Sequence, residues 1–393
     1  MTVNPYSGKV TTYDLTVGQK IDMDELIYMI SPVDSPLING VASDGRQILA
    51  SSGTTETTFK WMDEELLLPR AAASAVNSST GTSVTTVTVS TTDIYKFQVG
   101  DLLTIMDEGA AQHGAVLLVD SLVLSTGVMT VSGWANHGDQ TAIAVGDIVT
   151  CLGTALAEGS DPGTARSADR TIRSNYTQIF GPTPIFMSRT EQQISRYGVS
   201  DEFAKQVYGR SVENVITREQ AYLYGQPIND TTNKKRSTGG LSYWLTSNVD
   251  SSSTTLTTTI IDTQLQACYN AGGIPNLLIA NPASLATLND TTNTATVRHT
   301  FDDPRRGRQS VMSIASEFGE ISVARNRWVN AETAFLVTKE NLQRRVIQPL
   351  VVEALAKTGD SDKVQILCEE GLQVKGQQHM AYFSGLTGYT GSA

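Results

Sequence analysis

Glu369 and Glu370 stand side by side in a run of strand-forming residues, and Asp107-Glu108 forms a second acidic pair. Paired carboxylates are what acid/base catalysis or cation binding requires. Neither pair has the company such chemistry needs. The four histidines, His113, His137, His299 and His379, fall in unrelated segments, outside any HExxH or paired Cys–His spacing. Gly239-Gly240 follows Ser237-Thr238 without the lysine of a phosphate loop, which makes it a structural turn. No GxSxG elbow is present, and Ser, His and Asp are too scattered to nominate a triad. Cys151, Cys268 and Cys368 are odd in number and far apart, so they read as buried small hydrophobes in a reducing compartment. An exposed loop is expected for Asp107-Glu108 and a strand face for Glu369-Glu370. Trp61, Trp134, Trp244 and Trp328 are dispersed and are expected to fill cores. The residues predict no enzyme, no metal and no cofactor.

Without a reactive constellation, the informative feature is the scaffold. From Val199 to Tyr224 the only helix breaker is Gly209, while Phe203, Val207, Val212, Val215, Ile216, Tyr222 and Leu223 recur at three- and four-residue steps. Charges of both signs lie between them, among them Lys205, Arg210, Glu213, Arg218 and Glu219. Ser200-Asp201-Glu202 suits the N-terminus and Gly225-Gln226-Pro227 the stop. A helix over 199–224 would be about 39 Å long at ~1.5 Å per residue. Such a helix, charged on every exposed turn, reads as a spine beside which other copies of the chain pack.

The rest of the chain falls into blocks. Residues 1–46 form an extended arm with one short helical segment before Pro32 and Pro36. Thr54 to Trp61 alternates as a strand and runs on into a charged segment ending at Pro69-Arg70. From Val76 to about Thr150 charges thin out and short alternating runs appear, the signature of a small antiparallel β-domain. Val99-Gly-Asp-Leu-Leu-Thr104 and Val145-Gly-Asp-Ile-Val-Thr150 are nearly one phrase, which suggests a barrel in which two strands start alike. The segments 54–75 and 155–186 read as the two arms of one long hairpin carrying that domain. After Ile260 the pattern becomes mixed α/β: helices at 262–271 and from Asn281-Pro282 through Leu288, then strands at 276–280, 320–324, 334–337 and 344–349. Long strands at 363–374 and 379–384 close the chain.

The chain has 393 residues, with 29 Lys and Arg against 40 Asp and Glu, a formal net charge of −11. That balance opposes a nucleic-acid-binding role, since Lys234-Lys235-Arg236 and Arg305-Arg306 are short and isolated. The first residues carry no secretory pattern, and no apolar run approaches 18 residues, so neither export nor a membrane partner is expected.

In this order, the parts resemble the Hong Kong 97-type major capsid proteins of tailed bacteriophages. The resemblance rests on Phe59-Lys60-Trp61 with Asp63 and Leu66–Pro69, Ala155–Gly159, Asn175–Phe180 and Tyr197-Gly198. It continues through Glu219–Gly225, Arg236–Leu241, Phe318-Gly319 and Glu353–Asp360. Leu367–Val374 fits loosely, with Gly371 standing where the family usually has a branched residue. The resemblance implies an α+β fold: an N-terminal arm (1–46), an extended loop (47–76 and 152–186) and an inserted β-domain (77–151). A peripheral domain (187–254 and 351–393) would hold the spine helix, beside an axial domain (255–350).

It also implies a subunit that assembles with itself into hexamers and pentamers around packaged double-stranded DNA. A separate scaffolding protein is expected, because the arm is too short and too poor in heptads to be a fused scaffold. Portal and decoration proteins are further partners, made with the chain in the host cytoplasm. Subunit contacts are expected at Lys60, Asp63, Glu64, Arg70, Arg166, Arg170 and Arg173 on the extended loop, and at Arg210, Glu213 and Arg218 on the spine helix. The alternative is a β-rich surface adhesin or tail-fibre protein, prompted by the Ser/Thr-rich segments at 76–150 and 251–259.

Overall fold

The structure is a computed structural model that describes residues 34–40, 47–64, 66, 68–78, 84–106, 112–134, 142–155, 158–159, 170–195, 199–291, 313–357 and 359–387. The chain forms two compact units, one from residues 1–61 and 173–393, the other from residues 62–172. Of the expected arm, the short helix α1 (Pro36–Asn39) is described, and the expected helical segment before Pro32 lies outside the described residues. Strand β1 (Ala50–Gly53) follows, then β2 (Thr58–Glu64).

The 62–172 unit holds β3 (Arg70–Ala72), β4 (Asn77–Ser78), β5 (Thr86–Thr88) and β6 (Asp101–Met106). It continues with β7 (Gln112–Val123), β8 (Val128–Gly133), β9 (Ala142–Ile143) and β10 (Ile148–Thr154). Six of them form an antiparallel sheet in the order β3-β10-β6-β7-β8-β5, and β4 pairs with β9. The two edge strands meet through an antiparallel bridge between Ala73 and Val89, with Ser74 N donating to Thr88 O at 2.9 Å, so the sheet closes into a small barrel. Period-2 alternation points Val87, Leu103, Ile105, Leu117, Val119, Met129 and Val149 into one core. The repeated phrase encodes a repeated turn. Gly100 and Gly146 both adopt positive φ (91° and 99°). One residue on, Asp101 Oδ2 accepts from Gln98 N and Asp147 Oδ2 from Ala144 N, each at 2.8 Å. The sheet starts at Arg70, outside the 77–151 segment marked by composition, because β3 carries the register of β10. Residues 62–172 expressed alone are expected to unfold in one cooperative thermal transition with a β-type circular dichroism spectrum. A disordered spectrum would contradict a self-sufficient core.

Strands β2 and β11 (Arg170–Tyr176) pair and each runs from one unit into the other; in the unit of residues 1–61 and 173–393, β12 (Gln178–Ser188) leads through the one-turn α2 (Arg189–Gln193) to the spine helix α3 (Glu202–Tyr224). Asp201 caps α3, its Oδ1 accepting from Ala204 N at 3.1 Å. A hairpin of β13 (Ile228–Asp230) and β14 (Lys235–Ser237) precedes α4 (Leu241–Trp244) and β15 (Asn248–Asp250). Then come α5 (Thr258–Asn270), β16 (Leu277–Ala280), α6 (Pro282–Thr291), β17 (Ser313–Ser316), β18 (Gly319–Arg325) and β19 (Thr333–Val337). Strands β20 (Leu342–Ala354), β21 (Ser361–Val374) and β22 (Ala381–Ser384) end the fold. One sheet runs β1-β20-β21-β12, the other β15-β22-β19-β16-β18-β17. Asn281 caps α6 from the position before Pro282, accepting from Ala283 N at 2.9 Å.

The spine helix departs from the apolar-stripe expectation. Phe203, Val207 and Val212 are only half-buried, while the fully buried positions are Asn214, Arg218, Glu219, Tyr222 and Leu223. Its C-terminal half carries the packed face, and three of the five side chains there are polar.

Candidate subunit-interface site

Alternation along β2 sends Phe59 and Trp61 inward and Lys60 outward. The inward pair stacks at 6.1 Å between centroids, and Trp61 meets Trp244 edge-on at 5.2 Å. That anchors the base of the β2–β11 ribbon and leaves its charges outside. Further along, Arg170 Nε lies 3.2 Å from Glu64 Oε2, both side chains about half exposed or more (63% and 47%). Exposed pairs of this kind contribute about 0–1 kcal/mol. Asp63 is half-buried, and Arg70 is exposed at the start of β3. Among the described residues Lys60 and Arg70 make no ion pair. Arg166 lies outside the described residues. Arg173 is half-buried, and with the Gln377 amide turned to suit its neighbours, Arg173 Nη2 donates to it at 3.1 Å. Arg210 and Glu213 pair with each other at 2.6 Å on the exposed face of α3.

Arg218 must be withdrawn as a contact residue. Its side chain is buried, and Nη1 donates to Glu370 Oε1 at 2.8 Å, while Arg344 Nε approaches the other carboxylate oxygen at 3.6 Å. The helix turns this residue onto β21, where a carboxylate waits, so it holds the subunit together from inside.

The sequence reading weighed charges alone and missed the apolar residues beside them. Met62, Leu66, Leu68 and Ile172 are each more than half exposed, as are Ile179 and Phe186 on β12. Period-2 alternation across 58–68 is the signal that could have found them, since an isolated ribbon would carry polar residues at outward positions.

Four of the short motifs that carry the family resemblance, at 59–61, 175–180, 236–241 and 367–374, meet at the ribbon's base. Asn175 Nδ2 donates to Leu372 O (2.6 Å), Gly239 O (3.1 Å) and Thr238 Oγ1 (3.2 Å). Asn175 Oδ1 accepts from Gly239 N and Tyr176 N, both at 2.8 Å. Glu369 accepts from Thr177 Oγ1 (2.8 Å) and Arg236 Nη2 (3.0 Å). Glu369 and Glu370 therefore face opposite sides of β21, each spent on structural partners. Gly371 has its own reason: a Cβ there would lie 2.7 Å from Tyr176 O and 2.8 Å from the Phe59 ring. The strand stays regular because the missing side chain makes room for the phenyl.

Asp107-Glu108 lies outside the described residues. Burial pushes the thiols of Cys268 and Cys368 up to about 11, which keeps them protonated. Among the described residues no group of three or more His, Cys, Asp or Glu is placed to hold a metal, and no helix is long and apolar enough to cross a membrane.

Residues 9–387 match the family described as SU10 major capsid protein. Among solved structures, a chain of Mycobacterium phage Bobi is 10% identical, with a TM-score of 0.50 over 97% of this chain and 100% of that one. The capsid of Myoviridae phage XM1 is 9% identical, with a TM-score of 0.49 over 94% and 100% of the two chains. A chain of Microbacterium phage Oxtober96 is 11% identical, with a TM-score of 0.49 over 98% and 96%. No curated protein matches the sequence. Nothing in these matches favours the adhesin reading. With a family match spanning nearly the whole chain and a ribbon, spine helix and two mixed sheets to go with it, the chain belongs to the SU10 major capsid protein family, as a structural subunit of an icosahedral phage head with a Hong Kong 97-type α+β fold.

Proposed function

We propose that the chain assembles with copies of itself into hexameric and pentameric capsomers, and that its extended loop lies across a neighbouring subunit. In this reading residues 1–46 are an arm, 47–76 and 152–186 the extended loop, and 77–151 an inserted β-domain. Residues 187–254 with 351–393 form the peripheral domain and 255–350 the axial one. The carrying observation is that the extended loop leaves Met62, Leu66, Leu68 and Ile172 exposed as well as the charged Lys60, Glu64, Arg70 and Arg170. Apolar groups gain from leaving water, and interleaved charges fix register and choose partners. The Arg210–Glu213 pair and the half-buried apolar positions of α3 offer a complementary strip.

A shell built this way encloses double-stranded DNA without sequence-specific contacts, since a chain of net charge −11 repels phosphates. A separate scaffolding protein guides closure, with portal and decoration proteins as further partners, and the chain is made in the host cytoplasm. Scaffolding and shell subunits alike act by binding, so no chemical step is assigned.

Electron microscopy of the protein expressed with its neighbouring gene products tests the reading: closed shells support it, and fibres overturn it. Arg170 and Arg173 already have partners within the subunit, so charge reversal is more informative at Lys60 and Arg70. The double variant Lys60→Glu, Arg70→Glu is expected to keep the wild-type melting temperature, since exposed substitutions shift stability by about 0.5 kcal/mol or less. Shell yield should fall by about tenfold or more, the effect of losing about 1.4 kcal/mol per contact. Wild-type yield from that folded variant would remove the extended loop from the interface.

A further inference from the structure

Glu219 is a fully buried carboxyl on the spine helix with no ion-pair partner among the described residues. Its contacts come from two other elements. Leu37 N, in the first turn of α1, donates to Oε1 at 3.1 Å, and Asn326 Nδ2 donates to the same oxygen at 2.5 Å. The Ile38 N–H adds a smaller favourable contribution to the ionised form. The second oxygen, Oε2, is buried without a hydrogen-bond partner. Leu37 and Ile38 place their side chains in the core beside Leu223, so the same short turn is held by apolar burial and by one carboxyl.

We propose that Glu219 is the positioning residue that docks the 34–40 segment onto the spine helix, and that protonation of its carboxyl sets the strength of that docking. The charged groups around it are few. On the 34–40 segment Asp34 adds a repulsive charge, and it faces Arg327 Nε at 3.6 Å. At the end of β18 Arg325 is exposed, and so is Arg327 on the loop that follows. On α3 itself, Arg218 is turned to Glu370. With no cation among the described residues facing the carboxyl, burial dominates and raises Glu219 to about 7 from 4.5.

The sign follows from linkage. Where the segment undocks, the carboxyl meets water and ionises near its ordinary value; where it is docked, ionisation waits until about pH 7. Docking is therefore strongest with the carboxyl neutral; it weakens as pH rises from about 4.5 to about 7 and levels off above that. With these two values the docking equilibrium falls about tenfold between pH 6 and pH 8.

Hydrogen–deuterium exchange of the full-length protein reads this directly, with rates corrected for the intrinsic pH dependence of amide exchange. Protection of a peptide covering Leu37–Asn39 is expected to drop about tenfold from pH 6 to pH 8, while peptides from β16 and β19 hold constant. Glu219→Gln keeps an acceptor for Leu37 N and cannot ionise, so its profile is expected to be flat. A flat wild-type profile overturns the proposal whether or not the variant folds, and so does a glutamine variant that falls as the wild type does. A purely structural glutamate would change the level of protection without changing its dependence on pH.

Discussion

Glu370→Ala is expected to destabilise the subunit by about 3–5 kcal/mol, the cost of leaving a buried charge without its partner. The Arg218 and Glu370 side chains are 5% and 2% exposed and lie 2.8 Å apart. Arg344, 3.6 Å from the second oxygen, depends on the same carboxylate. Removing it strands the buried Arg218 guanidinium and takes the ion-pair partner from Arg344, which is 24% exposed, and the Nε atoms of both already lack a hydrogen bond. Tyr222 stands beside the cluster, where burial and then the Glu370 charge push its hydroxyl well above the usual range and keep it neutral. Replacing both partners, Arg218→Met with Glu370→Leu, is expected to recover most of the loss, because two desolvated charges give way to apolar contact. Urea denaturation followed by tryptophan fluorescence measures both. If Glu370→Ala lost under about 1 kcal/mol, the pair would have to be solvated after all.

Asn175→Leu comes next, at about 2–6 kcal/mol, from two buried groups that each cost about 1–3 kcal/mol when left unpaired. Leucine has the same branched heavy-atom skeleton as asparagine, so the loss is mainly one of hydrogen bonds. Gly239 N, Tyr176 N and Leu372 O each lose their Asn175 partner. The consequence is local as well as global: the 236–241 loop should detach from β21, with faster amide exchange at Gly239 than in the barrel of residues 62–172. Equal destabilisation of both regions would show that the network does not act locally.

Much of the fold was legible from short-range patterns. The capping asparagine before Pro282, the acidic start and glycine stop of the spine helix, and the alternation along the first part of β21 are set by residues a few positions apart. So are the two Val-Gly-Asp turns, each closed by an aspartate accepting from a backbone N–H three residues back. Boundaries were less legible. The expected strands at 176–180 and 184–188 are one strand, β12, broken in register by a bulge between Phe180 and Thr183 that glycine and proline allow.

Local sequence was enough for most helices and strands, for their order, and for the outward charges of the ribbon at Lys60, Glu64, Arg70 and Arg170. It misjudged Arg218 and overlooked Glu219 as anything but a surface charge. On a helix, a row of interleaved charges looks solvated whichever way it faces. Only the tertiary structure decides that Arg218 meets a carboxylate 152 residues away, and that Glu219 meets a backbone N–H 182 residues away. Capping and alternation are settled within a turn or a strand, whereas burial of a charge depends on a partner brought from a distant segment. That partner makes the difference between a cost of several kcal/mol and a stable core.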